Sequence, residues 1–186
     1  MQLRPLHPFA AAAHLQGLDL RCGAAWHAGM LALHYRLSGP LAGLALPPRR
    51  PEPRRRDDLW CSTCFEAFLG VPGQAGYWEI NLCPSGDWNL YALSGYRTGL
   101  SPEARIRQLP FSLRLRGDEP AAGGPGQQLD LELCLDLRGL IAAEAPLELS
   151  ATAVLDHPAS GCSHWAWHHA GPEADFHRRD SFQRIA

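Results

Sequence analysis

Lysine is absent from this chain, and all 17 basic residues are arginines. Beside an excess of alanine, glycine and proline, that one-sidedness reads as a genomic composition bias and carries no function. Neither sign of charge dominates: 17 Arg stand against 19 Asp and Glu, for a formal charge of -2. Nothing therefore calls for nucleic acid or an anionic membrane as partner. No apolar stretch is long enough to cross a bilayer. The start, MQLRPLHPFA, has early prolines and no uninterrupted apolar run. No signal peptide is read there, and a cytoplasmic location is expected. Six cysteines would allow three disulfides, but 186 residues can build a core without staples, so reduced thiols are expected. Nucleophile elbows, phosphate-binding loops and zinc-protease signatures are missing. So is any repeat of fixed period. The length suits one domain spanning residues 1–186.

What the chain has is alternation. Leu31, Leu33, Tyr35 and Leu37 alternate with Ala32, His34, Arg36 and Ser38, a strand that stops at Gly39-Pro40. Further strands are expected at Cys64–Leu69, Tyr77–Leu82, Trp88–Leu93, Phe111–Arg116, Leu129–Leu137 and Leu147–Leu155. Ser163–His168 is another, with Trp165 and Trp167 on one face. A short edge strand is expected near His14–Leu20, followed by a break at Arg21-Cys22-Gly23-Ala24. Residues 41–58, rich in Pro and Arg, form a loop. Glu103–Gln108 could carry one helical turn, and residues 117–128 a hairpin excursion. Eight or nine strands without an amphipathic helix define an all-β chain in two packed sheets, a β-sandwich of immunoglobulin-like or jelly-roll type.

The stretch Leu59–Arg97 organises the rest. Within Tyr77–Leu82, Trp78, Ile80 and Leu82 should face the core, with Tyr77, Glu79 and Asn81 on the other side. Polar groups then recur on one sheet face: Glu66, Glu79, Asn81 and Asn89. Carboxylates and amides can satisfy the hydroxyl rim of a sugar, because Glu accepts while Asn both accepts and donates. Aromatic planes cover the apolar C–H faces, and Trp88, Tyr91 and Tyr96 are the candidate platforms. Arg97 would anchor an acidic sugar or pair with a Glu. The plainer reading is a solvated sheet face, with Trp88 covering one end of the core and a structural Glu66–Arg97 ion pair. Glu66 and Glu79 could also be the paired carboxylates of a glycoside hydrolase. No residue is assigned a catalytic role.

Metal ligation is not expected. Cys61-x-x-Cys64 has no second pair, since Cys83, Cys134 and Cys162 are scattered. His164 and His168 share a strand face but stand roughly 13 Å apart. Folded-over geometry involving His177 and Asp175 stays open.

One resemblance extends this reading. The run Leu59-Trp60-x-x-Thr63-Cys64-Phe65-Glu66-x-Phe68-Leu69 is its first part. Tyr77-x-Glu79-x-Asn81, Pro84-Ser85-Gly86-x-Trp88-Asn89-x-Tyr91 and Tyr96-Arg97-x-Gly99 follow. Together these resemble the bacterial DOMON-like proteins, which are related to the family 9 carbohydrate-binding modules. The tail Trp165-Ala166-x-His168-His169-x-Gly171-x-x-x-Asp175-Phe176-His177 is similar to the end of those proteins. The resemblance implies a β-sandwich that binds rather than catalyses, with sugar or haem as the broad family's ligands. Haem-binding members use Met and His as axial ligands, and the methionines here are Met1 and Met30. No cofactor is expected. The expectation is a binding module for a carbohydrate or other small polar ligand. A protein-interaction or structural domain is the alternative, and the oligomeric state stays open.

Overall fold

A computed structural model of the chain describes residues 1–117 and 126–185. The first eight strands are β1 (Arg4–Pro5), β2 (His7–Pro8), β3 (Asp19–His27), β4 (Met30–Gly39), β5 (Cys64–Gly70), β6 (Tyr77–Leu82), β7 (Trp88–Leu93) and β8 (Ser101–Pro102). They are followed by β9 (Phe111–Arg116), β10 (Gln127–Asp136), β11 (Leu147–His157), β12 (Gly161–Ala166) and β13 (Gln183–Ile185). The antiparallel order β1-β3-β4-β10-β9 makes one sheet. The order β2-β12-β11-β5-β6-β7-β8, with β13 against β11, makes the other. The molecule is therefore an all-β sandwich, as the alternation predicts. Most of the loop expected at 117–128 lies outside the described residues.

Period-two patterning explains the core. Leu31, Leu33, Tyr35 and Leu37 of β4 and Leu129, Leu131, Leu133 and Leu135 of β10 point inward. They meet Phe65, Ala67 and Leu69 of β5, Ile80 and Leu82 of β6, and Leu147, Leu149 and Ala151 of β11. Trp78 packs against this core from a half-buried position, so the expected side of β6 is the inward one. A polar strut also crosses the sandwich, where the buried Tyr35 hydroxyl donates to the Glu66 carbonyl at 2.5 Å.

Three local expectations need correction. There is no break at residues 21–24. The strand runs through, and the 3-10 turn Ala13–Leu15 precedes it where an edge strand was expected. Small residues fill inward positions there because large ones oppose them, with Cys22 paired to Tyr35 and Ala24 to Leu33. Gly23 belongs to the same strand, and a Cβ there would meet the Gln2 carbonyl oxygen at 2.9 Å. Residues 103–108 form no helix, and only Ala104 and Arg105 lie in a turn. Their carbonyls are drawn to Arg55, whose guanidinium bonds the carbonyls of Leu90, Glu103 and Ile106 and lies 4.5 Å over the Trp88 ring.

The third correction concerns the polar face of β5, β6 and β7, which is not solvated. Glu66, Phe68, Tyr77, Glu79, Asn81, Asn89, Tyr91 and Leu93 all lie on it and all are buried. Residues 57–60 cover one part of this face. Asp57 accepts from the Tyr91 hydroxyl at 2.6 Å, and the Trp60 and Tyr91 ring centroids lie 5.9 Å apart. The segment 174–182 covers another part, packing Phe176, His177 and Phe182 around Phe68 and Tyr77. Arg179 fixes that segment. Its guanidinium lies where a Cβ on Gly70 would be 1.6 Å away, and it donates to Glu148 at 3.0 Å.

Ile80 sits wholly inside the main core. Ile80→Ala is expected to cost about 2–5 kcal/mol of unfolding free energy, measured by urea denaturation. A change below about 1 kcal/mol would contradict the inward packing of β6.

Candidate functional site

Between the two coverings a cavity of about 360 Å³ remains, a size within reach of small-ligand sites. Glu66, Glu79, Arg97 and His177 supply its ionisable lining, with His164 from β12. Trp60, Phe68 and Phe176 supply aromatic walls. Arg97 and Leu100 at the edge are about half exposed, with Arg97's side chain at 52 % and Leu100 at 47 %.

The two glutamates reach the cavity through strand register. Asn81 stands opposite Glu66, and Glu79 opposite Phe68. Glu66 and Glu79 are therefore diagonal neighbours on one face, ~7–8 Å apart at the backbone, close enough for both carboxyls to approach one small group. Each residue is 3 % exposed. Glu66 Oε1 and Glu79 Oε2 have no hydrogen-bond partner among the described residues. The other Glu79 oxygen accepts from Asn81 Nδ2 at 2.8 Å, so Asn81 positions Glu79. A buried acceptor without a donor is costly, and a ligand that brings donors removes that cost.

Burial, then repulsion from Glu79, pushes the Glu66 carboxyl well above its ordinary range. Burial also raises Glu79, against the hydrogen bond from Asn81 and the charge of Arg97. Burial, then the charge of Arg97, lowers His177 to about 4, with Asp175 opposing. His177 is thus neutral near physiological pH. The Tyr77 hydroxyl, which accepts from the Arg97 backbone N–H at 3.2 Å, lies 2.8 Å from His177 Nδ1. Donation from that hydroxyl to Nδ1 leaves the ring proton on Nε2, 4.0 Å from Glu79 Oε2. Arg97 has the left-handed backbone conformation, φ 50°, in the turn after β7. Its guanidinium pairs with Asp175 at 2.9 Å, and Asp175 also accepts from the Tyr96 hydroxyl at 2.5 Å.

The sequence-derived candidates separate accordingly. Glu66, Glu79 and Arg97 meet at the cavity, and Asn81 stands behind Glu79. Asn89 shares the face but is occupied: Arg55 donates to its oxygen, and its amide donates to the Arg56 carbonyl and Asp57. Tyr91 is likewise held by Asp57 beneath Trp60. Trp88 cannot be a platform at this face, because it points to the opposite side of β7, into the main core. Tyr96 is exposed and binds Asp175. The Glu66–Arg97 ion pair is replaced by Arg97–Asp175.

Trp60, Phe68, His164, Phe176 and His177 are not among the ligand-binding candidates, although His164 and His177 are weighed above as metal ligands. Phe68 shares parity with Glu66, and Phe176 and His177 lie in the tail motif, so both signals were present in the chain. The cavity lining includes no methionine, so it brings together no Met–His pair to ligate haem. Cys61 is exposed at the end of a 3-10 turn, while Cys64 is buried at the start of β5, near Asn81. Among the described residues no group of three or more His, Cys, Asp or Glu could hold a metal ion. No described helix is long and apolar enough to cross a membrane.

No protein-family model matches the chain, and no curated protein does so by sequence. The fold is similar to the crystal structure of a proposed carbohydrate-binding protein from Bacteroides uniformis ATCC 8492. The TM-score is 0.67 at 12 % identity, covering 100 % of this chain and 85 % of that one. The class defined here is thus a two-sheet antiparallel β-sandwich. At that identity the likeness is one of fold alone.

Raised carboxyls bind protons more tightly in the folded chain than in the unfolded one. The stability they contribute is full below the ordinary range near 4.5 and is lost as pH rises through the raised values. A glutamine in place of either does not titrate. The melting temperature of Glu79→Gln relative to the parent protein should therefore increase between about pH 5 and about pH 9. A difference that stays flat across that range in thermal melts would refute the raised carboxyl.

Proposed function

We propose that this protein is a non-catalytic binding module for a carbohydrate, held in the cavity of Glu66, Glu79, Arg97 and His177. The observation that carries the reading is a pair of buried glutamates lining a cavity walled by Trp60, Phe68 and Phe176, each with a carboxyl oxygen that has no partner among the described residues. A sugar offers hydroxyl donors for the first and C–H faces for the second. The likeness in fold to a proposed carbohydrate-binding protein supports this reading. So does the motif resemblance to DOMON-like proteins and family 9 modules, which passes through Trp60, Glu66, Glu79, Arg97 and His177.

A second reading has its own observation. Two carboxyls on one cavity, both raised by burial but only Glu79 held by Asn81, resemble the differing environments of an acid and a base in glycoside hydrolysis. Aryl-glycoside turnover lost in both Glu66→Gln and Glu79→Gln would reassign the protein as a hydrolase.

Isothermal titration against mono- and oligosaccharides should give binding that Trp60→Ala weakens at least about fivefold, or about 1 kcal/mol. Unchanged affinity in that variant places the site elsewhere. Absence of sugar binding at millimolar concentration removes the carbohydrate reading and promotes the interaction-domain reading.

A further inference from the structure

We propose that the ligand presents a protonated amine to Glu66 and Glu79, so that an amino sugar with a free amino group is preferred to the neutral sugar of the same shape. This rests on the carbohydrate reading and adds the charge of the ligand to it.

The two carboxyls are unmatched: burial raises both, and their ionised forms lack a dedicated cation in the cavity. The groups facing the two carboxyls come from every element around the cavity. Strand β5 supplies Cys64, β6 supplies Tyr77, β12 supplies His164, the turn after β7 supplies Arg97, and the tail supplies His177, with Asp175 behind Arg97. Tyr91 of β7 is nearby but turned to Asp57. The cation among them is Arg97, and its charge is met by Asp175 at 2.9 Å. His177, the nearest imidazole, is neutral for the reasons given above. Burial likewise lowers His164, with His169 adding to the effect. Arg97 thus favours the ionised form of Glu79 only in part, and among the described residues that line the cavity no cation is paired with either Glu66 or Glu79.

An ammonium fits that deficit. It carries three N–H donors and no acceptor, and the two glutamates lining the cavity each keep an oxygen without a donor among the described residues. Charge-assisted hydrogen bonds are stronger than neutral ones, more so in a buried site. The aromatic walls suit a cation as well, because ring faces attract positive charge. An acidic sugar would meet two carboxyls and is disfavoured. At neutral pH the incoming ammonium stabilises both carboxylates, so any proton they hold passes to solvent on binding.

The experiment is calorimetric titration of the intact protein near neutral pH with glucosamine, glucose, N-acetylglucosamine and cyclohexylamine. Each is run in two buffers of different ionisation enthalpy. Glucosamine is expected to bind at least about tenfold more tightly than the two neutral sugars. It should also show a buffer-dependent heat that reports proton release, and the preference should fall towards one in Glu66→Gln and in Glu79→Gln. Neutral sugars binding as well as glucosamine overturn the amine inference and leave the carbohydrate reading intact. Both amines binding while neutral sugars do not would uphold the amine and sink the carbohydrate. If nothing binds, both fail.

Discussion

Arg179 lying across Gly70 is the contact on which the cavity depends. Only a residue without a side chain permits that approach. Once there, the guanidinium spans two strands, bonding Glu148 of β11 and the Val71 carbonyl just beyond β5. It also lies 4.8 Å over Phe182, which packs on Phe68 and Tyr77. The chain just before this anchor then has to run over the sheet, bringing Phe176 and His177 above Glu79. Loosening the anchor would expose a sheet face built to be covered.

A covered face changes what its polar residues can do. On an open sheet, two glutamates would ionise and be screened by water. Beneath Trp60 and Phe176 they lose that water, while neighbours satisfy only part of their hydrogen-bonding capacity. Asn81 and Asn89 show the contrast. Both are fully buried, yet their amide groups are engaged by neighbours, so they serve the architecture. Unmet capacity remains at Glu66 and Glu79, which line the cavity, and also at the Ser150 hydroxyl and one Arg179 nitrogen, which do not.

The side of each strand was legible in the chain because alternation is local. Strands β6 and β7 fall where the pattern puts them, and Ile80 and Leu82 face the core. What covers the second face was not legible, because that depends on contacts between distant segments such as Arg179 and Gly70, or Asp57 and Tyr91. A trace of it existed. Phe68, Tyr77, Tyr91 and Leu93 share parity with Glu66 and Glu79, which makes the face too apolar to stay wet. For Trp88 the plainer of the two expectations holds, since it is one residue out of phase with Asn89 and joins the core, where its aromatic character alone suggests a platform. In β3, small residues at inward positions hid the alternation.

The outermost strands have a further effect. Three of the four ends of the two sheet orders are two-residue strands, Arg4–Pro5, His7–Pro8 and Ser101–Pro102, each closing on proline. A proline has no N–H to offer a neighbouring chain, and a two-residue strand gives almost no length to pair along. The fourth end, β9, carries Arg114 and Arg116. At those three ends the borders offer a neighbouring molecule little to pair with, which leaves β9 and the short β13 as the edges along which another strand could add.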